Sequence, residues 1–218
     1  MARPAGVKNQ DYKAKRAALV EAATAFVLQE DVLLPSFRQI AIATGTSEPT
    51  LKHYFKSRSG LVIAIIEHIN QMSDPMRALL RRSFPSIEEA LRDYQALAQR
   101  ISRDARFMRG HIFGIRESLV DNDVFAAYVT NLVEPGVAAF AERIVKSPGG
   151  PVNYSTARTA ASMIFANVLF VGARDHLLGS KDPGANTLDL SYQLMTNWLL
   201  NGMVSDPEGQ KSDDEKAE

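Results

Sequence analysis

The sequence has 218 residues, of which 45% are hydrophobic and 23% are charged, a composition typical of globular domains and unlike collagen or disordered chains. It contains no cysteine, which excludes disulfides, thiolate metal sites and cysteine nucleophiles and fits a reducing cytoplasm. The first residues, 1–6, lack the apolar core of a signal peptide, and the longest charge-free apolar run, 159–173, is shorter than a bilayer requires. We therefore expect a cytoplasmic protein without membrane contact.

Charge is distributed unevenly along the chain, although 25 basic and 25 acidic residues balance. Residues 1–60 hold nine basic and five acidic residues, whereas residues 204–218 hold two basic and six acidic ones. The tail, with almost no large apolar residue, is predicted to be disordered. The basic N-terminal end favours a module that faces nucleic acid.

Apolar residues recur at helical spacing almost everywhere, and no sustained two-residue alternation indicates a strand, so an all-α fold is predicted. The first helix is expected over residues 11–29, with an apolar face centred on Ala23. Ser36 and Ser47 are expected N-caps of two short helices, the second with Pro49 in its first turn. A fourth helix follows from Ser57 or Ser59 and ends or kinks at Pro75. Later helices are predicted at about 86–103, 105–119, 124–145, 155–178 and 187–203.

The second and third helices form a helix-turn-helix candidate, because a short turn with a central glycine joins them. Ala41 is small where the helices cross, Gly45 lies where the turn needs a positive φ, and Leu51 lies where the third helix meets the core. This order of residue types is the one the geometry requires. The alternative is an ordinary αα-hairpin, which the same residues allow.

Residues 37–61 read FRQIAIATGTSEPTLKHYFKSRSGL, and this segment resembles the DNA-binding signature of the TetR (tetracycline repressor) family. The resemblance extends over residues 11–70, and the remaining residues resemble the family only in their helical pattern. One departure is that the family's commoner Tyr-x-His-Phe ending is replaced by Lys52-His53-Tyr54-Phe55, with a lysine where an aromatic residue is usual.

The resemblance implies a homodimer that places two recognition helices in successive major grooves of a palindromic operator in double-stranded DNA. It further implies repression until a small, largely apolar effector binds the C-terminal domain. The implied divisions are a flexible N-terminus (1–10), a three-helix DNA-binding domain (11–58), a ligand-binding and dimerisation bundle (59–203, with 59–74 as connecting helix) and the acidic tail (204–218).

Residues of the helix-turn-helix are expected to divide DNA contacts between bases and phosphates. Thr46, Ser47 and Thr50 are expected to donate to phosphates or base edges. Pro49 and the Thr50 methyl are expected to meet a thymine methyl, and His53 is expected to reach a purine. Phosphate contacts are expected from Arg38, Lys52, Tyr54 and Lys56.

The last two predicted helices are too apolar for a single exposed face, which indicates a partner helix. In the family, such helices from two subunits form a four-helix interface; a monomer with two central core helices is the alternative. The expected interface residues are Phe165, Leu169, Met195, Trp198 and Leu199. The candidates for lining an effector pocket are Phe107, His111, Arg116, Tyr128, Asn131, Asn167 and Phe170.

Two other functions are open on the sequence alone. A helical enzyme would need a catalytic or metal-binding constellation, but the four histidines lie far apart and no phosphate-cradling glycine loop or nucleophile elbow occurs. No cofactor, metal or catalytic residue is therefore expected. A helix-turn-helix protein that responds to a protein partner instead of a metabolite is the second alternative.

Overall fold

The computed structural model describes residues 5–151, 153–177 and 186–204, and within these ranges the chain is helical without any strand. This confirms the predicted all-α fold. The predicted disordered tail and the loop signal at 180–184 lie outside the described residues, apart from Val204 at the end of the last helix. The helices are α1 (Ala5–Val27), α2 (Phe37–Ala43), α3 (Glu48–Phe55), α4 (Arg58–Met72), α5 (Asp74–Leu80), α6 (Ile87–Ser102), α7 (Ala105–Ser118), α8 (Asn122–Tyr128), α9 (Glu134–Lys146), α10 (Tyr154–Leu177) and α11 (Asn186–Val204).

Two predictions about single helices were wrong, and one was confirmed. Helix α1 begins at Ala5, so residues 5–10 of the expected flexible N-terminus are helical. The predicted end of the fourth helix near Pro75 is confirmed, because α4 ends at Met72 and Pro75 lies in the first turn of α5, where its missing N–H is not needed. The single helix expected over 124–145 is interrupted by a π-helical turn, Val129–Val133, directly before Pro135. A proline removes one backbone donor, and a π turn accommodates that loss.

The helices group into two compact units. The first contains residues 1–74 and 109–133, and the second contains residues 75–108 and 134–218. The division at residue 58 comes from the family resemblance, whereas this grouping follows compactness. It assigns most of α7, all of α8 and the π turn to the unit that holds the helix-turn-helix.

The core of the first unit is formed by α4, which packs against α1, α3, α8 and the π turn. Its Leu61, Val62, Ile65 and Ile66 are completely buried. In the second unit, α10 packs on α9 and α6, and α11 packs on α6. The arrangement follows from the amphipathic α6 and α9, whose apolar faces need the helices of the later part of the chain to cover them.

Two stretches, Asn122–Lys146 and Tyr154–Arg174, are long and apolar enough to cross a membrane by length and composition. The expectation that no segment is long enough was therefore wrong on this criterion. The criterion is weak evidence, since a core helix of a soluble protein also meets it. In both stretches only 39% of the apolar window is buried within the chain.

Candidate nucleic-acid interface

The helix-turn-helix begins with two serine N-caps, as predicted. The Ser36 hydroxyl accepts from the Gln39 backbone N–H while the Gln39 side chain accepts from the Ser36 N–H, which forms a capping box. The Ser47 hydroxyl accepts from the Thr50 N–H at the start of α3. These caps define where α2 and α3 begin and so fix which side chains face outward.

The turn between α2 and α3 has the conformation that the sequence predicts. Gly45 has φ +64°, a left-handed value that a side chain rarely adopts. Its N–H donates to the Ile42 carbonyl, and the Thr46 N–H donates to the Ala41 carbonyl. Ala41 and Leu51 are buried at 2% and 0% exposure, and both belong to the core, which confirms the predicted core position of Leu51.

The predicted DNA-binding residues lie together on one short stretch of α2, the turn and α3. Thr46 and Thr50 are half-buried, and the Ser47 and Thr50 hydroxyls lie 2.9 Å apart, so the cap also holds the Thr50 side chain in place. The exposed members of the set are Arg38, Ser47, Pro49, Lys52, His53 and Lys56. This surface combines three cations with short polar groups, the mixture that phosphate and base-edge contacts need.

An aromatic cluster that the sequence did not predict supports α3 from behind. The Tyr12 ring lies 4.7 Å from the Tyr54 ring and 5.8 Å from the His53 ring, centroid to centroid. The Tyr54 ring also meets His53 edge-on at 5.1 Å. Tyr54 is thus half-buried, with its ring in contact with both Tyr12 of α1 and His53. Its predicted phosphate contact stays a prediction.

Lys56, directly after α3, has an unusual backbone. Its φ and ψ are 68° and −47°, and the Ser57 N–H donates to the Phe55 carbonyl at 2.8 Å across it. This is a γ-turn of the rare type, which costs on the order of 1–3 kcal/mol for a residue other than glycine. The tight turn ends α3, and α4 starts two residues later, so Lys56 lies directly at the C-terminal end of α3.

Polar contacts bind the start of α4 to α7 and α8. Arg58 forms an ion pair with Glu117, with Nη2 to Oε1 at 3.0 Å, and also donates to the Pro35 carbonyl. Burial acts to raise the pKa of Glu117, but hydrogen bonds from Arg58 and Arg116 outweigh it, so the pKa lies below its usual value. Ser59 donates to Asp121, the N-cap of α8. The start of α4, directly after the helix-turn-helix, is therefore joined to α7 and α8 within one unit.

The predicted effector residues are divided between the two units. His111, Arg116, Tyr128 and Asn131 belong to the first unit, whereas Phe107, Asn167 and Phe170 belong to the second. Phe170 is 71% exposed, so it lies on the surface and does not line an interior pocket in this chain.

Asn167 has a buried Nδ2 with no acceptor in the part of the chain that the structure describes, while its Oδ1 lies 3.5 Å from the Ser191 hydroxyl. A buried amide N–H normally has an acceptor, and the described residues do not supply one for Asn167 Nδ2.

His111 and Tyr128 satisfy each other inside the first unit. The His111 Nδ1 lies 3.2 Å from the Tyr128 hydroxyl, and both side chains are buried among α7, α8 and α4. Their contact is an internal one and leaves the effector role of His111 a prediction. Burial lowers the pKa of His111 from 6.5 to about 4.

His111 should make stability depend on pH. Between pH 6.5 and 4 the unfolded chain binds a proton at this histidine that the folded chain does not, so acidification favours unfolding. We expect the free energy of unfolding to fall by up to about 3 kcal/mol from pH 7 to pH 4, and His111→Gln to remove that part of the slope. Urea unfolding at several pH values measures it.

Tyr128→Phe is the matched control for this experiment. It removes the hydroxyl but keeps His111 buried, and burial is what lowers the histidine pKa. It should lower stability at every pH without changing the slope. An identical slope in wild type and His111→Gln would contradict the prediction.

The predicted dimer residues lie on α10 and α11 of the second unit. Trp198 is 68% exposed, whereas Phe165, Leu169, Met195 and Leu199 are half-buried. Four further exposed apolar residues lie on the same two helices and were not among the predicted interface residues: Met163, Phe170, Leu190 and Leu194. A groove of about 320 Å³ runs between the helices, lined by Ser155, Thr156, Thr159, Ala160, Met163, Trp198 and Leu199.

Comparisons with solved structures place this fold in a known class. A protein assigned to the TetR family of transcriptional regulators from Mesorhizobium loti superposes with a TM-score of 0.62 at 19% identity, covering 87% of this chain and 96% of the other. A second protein so assigned, from Rhodococcus sp., gives 0.62 at 16% identity, covering 86% and 99%. Salmonella enterica GusR gives 0.60 at 18% identity, covering 85% and 95%. No family model and no curated protein matches the sequence.

The chain therefore has the fold of TetR-family transcriptional regulators, with an N-terminal helix-turn-helix and a helical C-terminal part. The likeness extends over the later helices, where the sequence resembled the family only in its helical pattern.

Proposed function

We propose that this protein is a DNA-binding transcriptional regulator of TetR type. The observation that carries the proposal is the α2–turn–α3 unit, in which Gly45 allows the turn and Ser47 caps a helix that exposes Pro49, Lys52 and His53. A major groove admits one α-helix, whose N-terminal residues then reach base edges. The role assigned is regulatory and not catalytic, and a regulator of this kind works in the cytoplasm.

We propose further that the protein acts as a homodimer on a palindromic operator. The exposed apolar residues of α10 and α11 support this, because such a face in water is normally covered by a partner. A two-fold dimer presents two recognition helices, and operator symmetry then mirrors protein symmetry. The assignment of α10 and α11 to the interface agrees with the apolar pattern of both helices.

Repression that is released by a small molecule completes the proposal. DNA binding selects one separation of the two recognition helices, so a ligand that prefers another separation must lower operator affinity by linkage. Helix α4 is suited to carry this coupling, since it packs on α1 and α3 and also on α8 and the π turn. A coupling of about 1–3 kcal/mol would weaken operator binding roughly 5- to 150-fold.

Selection of duplexes from random DNA with the full chain tests the proposal. The expected result is enrichment of an inverted repeat with half-sites about one helical turn apart, or a multiple of that. Enrichment of no sequence, or equal binding of all sequences, would contradict it. If an operator is found but no small molecule in a broad screen releases it, regulation by a protein partner becomes the better interpretation.

A further inference from the structure

A buried arginine in the second unit is only partly neutralised. Arg143, near the end of α9, is 2% exposed. Its Nη2 donates to the Ala90 carbonyl on α6 and to the Asp93 carboxylate at 2.9 Å. Its Nε and Nη1 are buried and have no acceptor in residues 5–151, 153–177 and 186–204. Because the guanidinium carries five N–H groups, three of them lack a partner there.

The charge around Arg143 is also unbalanced. Asp93 is the carboxylate that contacts it, but Asp93 also accepts two hydrogen bonds from Arg82, at 2.8 and 3.0 Å. Two guanidinium groups thus share one carboxylate, and the cluster retains one positive charge. A buried cation that lacks full compensation is unfavourable, so an additional anion would be bound strongly there.

Aromatic rings lie beside the Arg143 guanidinium. The Arg143 guanidinium carbon lies 4.0 Å from the centroid of the Phe84 ring and 6.0 Å from that of Phe140. The Tyr94 ring stacks on Phe140 at 3.7 Å. Burial raises the pKa of Tyr94, which keeps its hydroxyl protonated and able to donate a hydrogen bond. A single cation enclosed by apolar rings suits a small anion that carries an apolar body.

Phe84 belongs to the non-helical segment 81–86, which joins α5 to α6, and it is half-buried. The Arg82 guanidinium lies 5.7 Å from the Phe84 ring and is paired with Asp93, so this short segment covers the arginine from one side. A segment without helical hydrogen bonds can move at lower cost than α6 or α9. Entry of a ligand therefore requires displacement of Phe84 and not of a helix.

We propose that Arg143 binds the carboxylate of a small molecule whose apolar body displaces the Phe84 ring and lies near Tyr94 and Phe140. This rests on the proposed function, for which the molecule would be the effector. The carboxylate accepts from Nε or Nη1 and supplies the missing negative charge. The apolar body replaces the contact that the Phe84 ring makes with the guanidinium.

Calorimetry with the full chain tests this proposal, with sodium benzoate and sodium octanoate as probes and benzamide and octanamide as their neutral counterparts. We expect the carboxylates to bind one per chain and the amides to bind much more weakly. Arg143→Met should weaken carboxylate binding roughly 10- to 100-fold, the effect of losing a charge-assisted hydrogen bond. Asp93→Asn should strengthen it, because a competing carboxylate is removed.

Arg158→Met is the control, since Arg158 pairs with Glu134 at 2.7 Å on the exposed surface of the same unit. It should leave carboxylate binding unchanged. Arg143→Met is expected to fold because Asp93 keeps Arg82 as its partner, and Asp93→Asn gives a second measurement if it does not. Equal binding of carboxylates and amides, or equal binding by wild type and Arg143→Met, would overturn the proposal. Either result is what we would expect if only water, and no carboxylate, bound to Nε and Nη1.

Operator binding by the wild-type chain separates this proposal from the proposed function. If the wild type binds an operator but no carboxylate, the carboxylate site is wrong and the regulator stands. If the wild type binds benzoate, Arg143→Met weakens that binding and no duplex is selected, the site stands and the regulator is wrong.

Discussion

Lys52→Gln combined with Lys56→Gln is expected to weaken operator binding by on the order of 10³-fold at 0.1 M salt. Both lysines are exposed on or directly after α3, and a dimer would carry four of them. Each phosphate contact contributes about 0.9 to the slope of log affinity against log salt concentration. Four lost contacts should make that slope less negative by about 3.6, which fluorescence anisotropy over about 50 to 200 mM salt measures.

A double variant in the second unit controls for loss of charge alone. Arg92→Gln with Lys146→Gln removes two exposed cations that pair with Glu88 and Glu142 on their own helices. We expect this variant to keep the wild-type slope. His53→Ala should instead change which bases are selected, because it affects base edges and not phosphates. An unchanged slope in the lysine variant would mean that α3 does not face DNA as proposed.

Most of the helix-turn-helix could be predicted from sequence because its signals are local. Ser36 and Ser47 are caps whose partners lie three residues away, and Gly45 is required by the turn in which it lies. The apolar periodicity of α4 likewise needs only its own residues. Because these features involve only residues that are close in sequence, they can be predicted from one sequence alone.

Contacts between distant residues could not be predicted in the same way. Tyr12 supports His53 and Tyr54 across 41 or 42 positions, and Arg58 reaches Glu117 across 59. No pattern within one helix indicates such pairs. The surroundings of the effector candidates could not be predicted for a related reason: polar side chains such as His111 were selected for their chemistry, but composition does not say whether an interior partner such as Tyr128 already satisfies them.

The γ-turn at Lys56 is a further feature without a sequence signal. Glycine and asparagine are the residues that normally mark a positive φ, and lysine is not among them. The conformation follows from geometry at both ends, since α3 must end at Phe55 and Ser57 must cap α4 two residues later. The surrounding helices therefore impose a backbone that the residue itself does not prefer.

Trp198→Glu is expected to convert a wild-type dimer into monomers. Trp198 is 68% exposed in the single chain, so a charge there does not disturb the packing of α11 on α6. The half-buried Leu199 would be a poorer choice, since Leu199→Glu affects the fold of the protomer as well. In a two-fold interface each glutamate is placed opposite the same face of its copy. Burial of such an unpaired charge costs about 3–5 kcal/mol.

That cost corresponds to a dimer dissociation constant weaker by roughly 10²- to 10³·⁵-fold. Sedimentation velocity at micromolar concentration measures it, and circular dichroism confirms that the variant is folded. Gln193→Glu is the matched control: Gln193 is also exposed on α11, but lies about 140° around the helix axis from Trp198. A folded Trp198→Glu dimer, or a monomeric wild type, would contradict the prediction.

Loss of the dimer should weaken binding to a palindrome, although the recognition helices themselves do not change. A monomer contacts one half-site, so it forfeits the high effective concentration that holds the second half in place once the first is bound. Trp198→Glu should therefore bind a full palindrome and an isolated half-site with nearly equal affinity, whereas wild type and Gln193→Glu should prefer the palindrome by about 10²-fold or more. If the variant lost dimerisation but kept that preference, α10 and α11 would not be what pairs the two recognition helices on DNA.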